Sequence, residues 1–238
     1  MLFLRSLLFL ICQVISTLIF ALPSVFTGLL PYRMRYSFVT LWNRCNLWCA
    51  EHICGLRYEV IGLEHVPAGP CVILSKHQSA WETYALPCLL PQTLVWVCKR
   101  ELLWIPFFGW GFAVLCPIAI DRSAGRKALE QLVEQGMDRL KRGRSVVIFP
   151  EGTRVAPGEK RRYAIGGALL AERSGYPVLP IAHNAGVFWP KRGFIKRPGV
   201  IRLVIGPVIE SRGKSAGDIN AQVEHWIETT TAQLPQAR

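Results

Sequence analysis

Hydrophobic and polar positions follow three different rhythms along this chain. From Ser6 to Tyr32 no residue is charged, and Leu7 to Leu22 are almost wholly apolar, a run long enough to span a bilayer. Pro23 and Pro31 interrupt it. From Arg33 to about Cys54, Phe38, Leu41, Trp42, Leu47 and Trp48 are interleaved with Arg35, Arg44 and Glu51, as in an amphipathic helix. Two arrangements stay open: a helical hairpin dipping into one leaflet, or a single span with Arg33 and Arg35 just beyond it on the cytoplasmic side. Ile19-Phe20-Ala21 is a poor cleavage site, so the segment does not read as a signal peptide.

From Gly55 onward, short apolar runs alternate with helical patterns. The runs predict strands at Tyr58–Ile61, Cys71–Ser75, Leu94–Val97, Val114–Ile120, Ser145–Phe149, Val178–Ile181 and Ile201–Ile205. Helices are predicted at Ala80–Leu90, Ala124–Lys141, Ala164–Ser174 and Ser215–Gln233, the second with an apolar face of Ala128, Leu129, Leu132, Val133, Met137 and Leu140. Strands separated by helices predict an α/β domain, a central mostly parallel sheet flanked by helices. The expected organisation is therefore a membrane-anchoring segment over 1–54 and a catalytic domain over 55–238.

Composition narrows the partners. The chain is 51% hydrophobic and 18% charged, which excludes disorder and favours membrane contact. Its 28 Lys and Arg against 16 Asp and Glu give +12, suited to an anionic surface or a phosphorylated substrate. Nucleic acid is not expected as a partner, because no recognition motif accompanies the charge. The eight cysteines form no Cys-x-x-Cys and several lie in apolar runs, as in a reduced, cytosol-facing domain. Cys45, Cys49 and His52 share a helical face, but a zinc site needs a fourth ligand and none is evident, so no metal is expected.

Three segments carry candidate chemistry. Lys76-His77-Gln78-Ser79-Ala80-Trp81-Glu82 follows a buried-strand run and opens a helix, where ligand sites of α/β sheets collect. A neutral His77 can take a proton from an alcohol, and Glu82 can fix its tautomer. Ser79-x-x-Glu82 is equally a capping box, in which Glu82 serves only the helix. Phe149-Pro150-Glu151-Gly152-Thr153-Arg154 follows another apolar strand. Glycine there permits close backbone approach, Thr153 offers a hydroxyl and Arg154 a fork for phosphate, although Pro-x-Gly is also plain turn chemistry. Lys99 and Arg100 precede an aromatic, proline-broken run that ends near Asp121-Arg122; a head group anchored beside a lipid-facing groove and a solvated pair before core are both consistent with it. The clusters Lys160-Arg161-Arg162 and Lys191-Arg192 to Lys196-Arg197, with Phe188, Trp189 and Phe194, read as a bilayer-facing surface or as solvated loops. Of the other histidines, His183 is the one placed to matter.

In this order the segments resemble the lysophosphatidic acid acyltransferase branch of the glycerolipid acyltransferases. His77…Glu82 stands for that family's His-x4-Asp block, Lys99–Gly109 through Arg122 for its second, Phe149–Arg154 for its third and Val178-Leu179-Pro180-Ile181 for its fourth. The likeness covers about Gly62 to Pro207, and glutamate replaces the family's aspartate at Glu82. The resemblance implies direct acyl transfer with no covalent enzyme intermediate and no tightly bound cofactor. His77 would deprotonate the sn-2 hydroxyl of lysophosphatidate, which attacks a thioester on acyl-CoA or acyl carrier protein and yields phosphatidic acid. Glu82 would orient His77, while Arg122, Glu151, Gly152, Thr153 and Arg154, with Lys99 or Arg100, would hold the acceptor's phosphate and neighbouring polar groups. It further implies a cytoplasmic-membrane location, with membrane lipids as partners. The alternatives are another lysophospholipid or lipid acceptor, and a catalytically silent membrane-binding relative. An activated thioester asks the protein for a base, positioning and oxyanion support, and the motifs are suited to supply them.

Overall fold

The computed structural model describes residues 1–121 and 124–235. Two helices, α1 (Leu2–Phe26) and α2 (Tyr32–Cys54), form an antiparallel hairpin. The pairing runs from the Cys54 thiol against the Arg5 carbonyl, through Ser16 against Asn46, to Phe20 against Phe38 with ring centroids 5.5 Å apart. Pro23 does not interrupt the first helix as expected. Around it, the Ser24 hydroxyl donates to the Ala21 carbonyl at 2.6 Å and the Thr27 hydroxyl to the Ser24 carbonyl at 2.5 Å, so side chains serve part of the disturbed ladder. The break falls at Pro31, extended at ψ 145, after a 3-10 turn over Thr27–Leu29. Gly55 ends α2 in the left-handed region at φ 71, its N–H donating to the Glu51 carbonyl at 2.9 Å.

The hairpin is inverted relative to a soluble helix. The inward face of α1 carries Ser6, Phe9, Ser16, Ala21 and Ser24, whereas Leu4, Ile19 and Phe26 are 67%, 62% and 75% exposed. Small residues let α1 lie close to its neighbours, and large apolar ones cover the outside. Leu2–Leu29 is long and apolar enough to cross a membrane. Even so, α1 touches the remaining domain along its length. Ser6 accepts from the Lys196 N–H, Phe9 meets Trp189 edge-on at 5.1 Å and Gln13 donates to the Tyr84 hydroxyl.

Seven strands follow: β1 (Leu56–Ile61), β2 (Val72–Ser75), β3 (Leu94–Lys99), β4 (Ile118–Ile120), β5 (Ser145–Ile148), β6 (Val178–His183) and β7 (Gly199–Ile205). They form one sheet in the order β1-β7-β6-β2-β5-β3-β4, parallel except where β6 meets β7. The expected α/β architecture is thus present. Both faces are covered, which is why the central strands read as unbroken apolar runs. Ile73, Val147 and Leu179 face the hairpin and α3 (Trp81–Leu89). Their neighbours Val72, Leu74, Val146, Ile148 and Val178 face α5 (Arg126–Lys141), α6 (Gly166–Ser174) and α8 (Ala216–Gln233).

One strand expectation needs correction. The run Val114–Ile120 pairs only from Ile118, opposite Val97. Val114 and Leu115 follow a short helix, α4 (Phe108–Ala113), Cys116 turns at φ 50, and Pro117 has no N–H to give a ladder. The short helix α7 (Ala185–Phe188) had no separate signature in the sequence. His52 stacks on Trp48 and its Nδ1 lies 2.9 Å from that residue's carbonyl oxygen.

Candidate active site

β2, β5 and β3 are parallel, so their carboxyl ends share one edge of the sheet. His77 leaves β2 there, and Phe149 to Arg154 leave β5 beside it. The His77 ring stacks on Phe149 with centroids 3.8 Å apart and planes 11° from parallel, and Trp96 continues the stack at 5.7 Å. The His77 Nδ1 lies 2.8 Å from Glu82 Oε1. The same oxygen accepts the backbone N–H groups of Gln78 at 3.0 Å and Ser79 at 2.9 Å. One oxygen of Glu82 therefore joins the imidazole to the backbone that enters α3; the Ser79 hydroxyl accepts from the Trp81 N–H at 3.2 Å instead of from the N–H of Glu82, so only the glutamate half of a capping box forms, and Glu82 does not serve the helix alone.

Glu82 is fully buried. Burial alone raises a carboxyl pKa, but His183 and His77 and the Ser79 N–H outweigh it and hold Glu82 below the usual carboxylate range. An ionised Glu82 can only accept, so His77 Nδ1 carries the proton, and Nε2 is the nitrogen left for substrate.

His77 lines a cavity of about 460 Å³. Part of the lining is cationic and polar: Gly152, Thr153 and Arg154 of the β5 loop, Lys99 from the end of β3, and Lys191 and Arg192 from the loop before β7. Gly152 sits at φ 71, a left-handed turn closed by its N–H on the Phe149 carbonyl at 3.0 Å, and the loop doubles back there to present Thr153 and Arg154. Lys191 Nζ donates to the Arg154 carbonyl at 2.6 Å. The rest of the lining is largely apolar and aromatic: Val39 and Trp42 of α2, with Leu102, Phe108, Phe112 and Leu115. Asn43 and Tyr84 add polar atoms to it. The hairpin assigned above to anchoring alone thus forms part of the cavity.

Not every expected residue arrives there. Arg122 lies outside the described residues, although β4, which precedes it, ends on the same edge of the sheet. Arg100 is exposed and opens a 3-10 turn next to Lys99, without lining the cavity. Glu151 is corrected most clearly, because its side chain is fully buried beneath His77 and faces no substrate space. Its Oε2 accepts the His77 N–H at 2.9 Å and its Oε1 lies 2.9 Å from Lys76 Nζ. Lys76, also buried, reaches Glu228 of α8 at 2.6 Å, and Tyr163 donates to the same Glu228 oxygen at 2.8 Å. Lys191 and Arg192 appeared in the sequence as a basic cluster with no cavity to point into. Glu228 gave no signal at all, being 152 positions from its lysine.

The buried cluster has a pH signature. Burial pushes Glu151 up to about 7, Glu228 adding to it and Lys76 opposing it. The folded protein then keeps a proton that the unfolded chain releases near 4.5, so the group's contribution is complete below 4.5 and is lost as pH rises through 7. Glu151→Gln stays neutral throughout and its amide oxygen can still accept the His77 N–H. Its Tm relative to wild type is expected to improve between about pH 5 and pH 8, by an amount reflecting roughly 3 kcal/mol at most. Thermal melts of both proteins across that range check it; a difference that is flat or falls with pH contradicts the burial argument.

A mostly parallel α/β sheet carries a histidine–glutamate pair at its carboxyl edge, on a cavity lined by both cations and apolar side chains, which suits an enzyme that handles an amphiphile. The comparisons agree: residues 57–184 match the acyltransferase family model, and the chain belongs to the acyltransferase family. It is 47% identical over 235 residues to a 1-acyl-sn-glycerol-3-phosphate acyltransferase of Pseudomonas aeruginosa, covering 97% of this chain and 91% of the relative. A mouse 1-acyl-sn-glycerol-3-phosphate acyltransferase alpha is 30% identical, covering 80% and 69%. The fold matches the crystal structure of a 1-acyl-sn-glycerophosphate acyltransferase from Thermotoga maritima with a TM-score of 0.77 over 97% of this chain and 96% of that one, at 20% identity.

Proposed function

We propose that this acyltransferase esterifies the sn-2 hydroxyl of 1-acyl-glycerol-3-phosphate, taking the acyl chain from a thioester on CoA or acyl carrier protein. The observation that carries the reading is His77, with Nδ1 committed to Glu82, lining one cavity together with four cations and a set of apolar side chains. His77 Nε2 removes the hydroxyl proton as the oxygen attacks the thioester carbon. The C–O bond forms, the C–S bond breaks, and the imidazolium returns its proton to the departing thiolate. Glu82 keeps His77 in the required tautomer and balances the transient imidazolium. Arg154, Lys191, Arg192 and Lys99 face the phosphate, and Val39, Trp42, Phe108 and Phe112 face acyl chains. Four cations lining one cavity favour a phosphomonoester over the zwitterionic head of other lysophospholipids. The names of the relatives point to the same acceptor.

The hairpin supports a one-leaflet arrangement at the cytoplasmic face of the membrane. A helix that crossed the bilayer would leave the catalytic domain, whereas α1 stays against it from Ser6 to Ser24, where Gly111 approaches so closely that a Cβ would sit 2.8 Å from the Ser24 hydroxyl. Trp104, Ile105 and Trp110, all exposed, extend the apolar surface.

The test is an assay of purified protein with lysophosphatidate against lysophosphatidylcholine, each with acyl-CoA and with acyl carrier protein, products read by mass spectrometry. Phosphatidate formation with one donor or both supports the reading; turnover of the choline lipid alone overturns the acceptor. Arg154→Lys keeps the charge but loses the fork, so the KM for lysophosphatidate is expected to rise about tenfold with a smaller fall in kcat. The KM for the donor should move less; an effect confined to the donor would place Arg154 on the donor instead.

A further inference from the structure

His183 ends β6 directly beneath the reacting pair. β6 lies beside β2, with the Lys76 N–H on the Ile181 carbonyl at 2.9 Å, so the imidazole comes up under the turn that carries His77. It is completely buried. Its Nδ1 accepts the Ala185 N–H at 3.2 Å. A backbone N–H can only donate, so the proton of the neutral ring sits on Nε2, which then donates to the Lys76 carbonyl at 2.8 Å. The tautomer is thus set by the main chain.

The same Nε2 lies 3.9 Å from Glu82 Oε2. That oxygen has no hydrogen-bond partner among the described residues, while Oε1 serves three donors. A buried carboxylate oxygen left without a donor is costly, and the His183 ring edge is packed beside it. We propose that His183 is a positioning residue for acyl transfer: as a neutral imidazole protonated at Nε2, it fixes from beneath the Lys76–His77 turn and backs the far oxygen of Glu82. This rests on the roles given above to His77 and Glu82.

Neutrality is part of the function. A doubly protonated His183 would set an Nδ1–H against the Ala185 N–H and place a full positive charge behind Glu82, drawing its charge away from His77. Burial pushes the imidazole below its usual range, against the pull of Glu82 and of the Lys76 carbonyl, and His77 and the Lys76 ammonium add to the downward shift. These groups come from α3 and from the β2–α3 turn; the Trp81 ring, with its centroid 6.3 Å away, closes another side.

The experiment compares His183→Met, which fills the space without a donor, with His183→Gln, whose amide N–H can reach the place of Nε2. Each is assayed for kcat and for both KM values, with Tm measured alongside, and nitrogen-15 NMR of histidine-labelled wild type reads the tautomer. The expected result is a fall in kcat of about ten- to a hundredfold for His183→Met, part of the 10²–10⁴ that a positioned base supplies, with both KM values within about threefold. His183→Gln should recover most of the rate, and NMR should show one neutral Nε2–H ring throughout the active pH range. If kcat per folded molecule stays at the wild-type level in both variants while Tm falls, His183 is a core residue only and the proposal fails. An Nδ1–H tautomer, or a His183 that titrates within the active range, overturns it even if neither variant folds. His77→Ala, run in parallel, separates the two levels: if it retains transfer, the reading of the whole site has failed. If it loses transfer and His183→Met does not, only the role of His183 falls.

Discussion

His77→Ala is expected to lower kcat about 10²–10⁴-fold, the range for loss of a general base, and to leave the fold in place. The expectation follows from what the side chain touches. His77 lies at the cavity surface, one ring face on Phe149 and Nδ1 on Glu82. Removing it leaves the Gln78 and Ser79 N–H groups on Glu82, so the helix cap survives, and the space left opens onto a solvent-accessible cavity instead of a sealed core. A sealed cavity of ring size would cost about 3–5 kcal/mol, and this one should cost much less. The KM for lysophosphatidate should stay close to wild type, because the charged residues of the cavity are untouched. Measuring phosphatidate formation and Tm in the same detergent decides the matter. A His77→Ala protein that keeps its melting point and turns over within tenfold of wild type would remove histidine from the chemistry.

Much of this was legible because parallel strands covered on both faces leave a plain trace. Cys71–Ser75, Ser145–Phe149 and Val178–Ile181 contain almost no residue that water must reach, and each appears as a strand within two residues of its predicted bounds. Val114–Ile120 misled for the same reason, since Leu115 is buried in a turn as thoroughly as if it were in a strand, and hydropathy does not distinguish the two. Pro23 misled because helix propensity takes no account of the Ser24 and Thr27 hydroxyls that serve nearby carbonyls. At the site, residues adjacent in sequence were found and residues joined through space were not. His77 and Glu82 lie within one turn of chain, so spacing alone pairs them. Lys191 comes to Arg154 over a gap of 37 residues, and Glu228 meets Lys76 only because α8 packs beneath the sheet. Glu151 shows the opposite error. Its place in a phosphate-like motif suggested a substrate contact, yet a carboxylate would repel a phosphate, and the structure turns it inward to Lys76.

The second large effect is expected at Glu82, where two substitutions separate charge from shape. In Glu82→Gln the amide oxygen can take the place of Oε1 and still accept from His77, Gln78 and Ser79, so tautomer and helix cap are both kept. What disappears is the negative charge that steadies the imidazolium as it forms. The new amide N–H₂ takes the place of Oε2, which has no hydrogen-bond partner among the described residues, and His183 Nε2, 3.9 Å away, already gives its hydrogen to the Lys76 carbonyl, so a donor is left unpaired in a buried space. We expect kcat to fall about 10²–10³-fold and stability to fall by about 1–3 kcal/mol from the buried donor left unpaired. Glu82→Asp keeps the charge but draws the carboxylate back by one methylene from a network whose contacts span only 2.8–3.0 Å. The first turn of α3 can shift to restore part of it, and the loss is expected to be about tenfold, with the larger share of the Tm change coming from the weakened cap. The order that follows is wild type, then Asp, then Gln in rate. If Gln were faster than Asp, orientation alone would carry the effect and the charge of Glu82 would have no part in the transfer step. If Gln lowered Tm without lowering kcat, Glu82 would be a helix cap and nothing more.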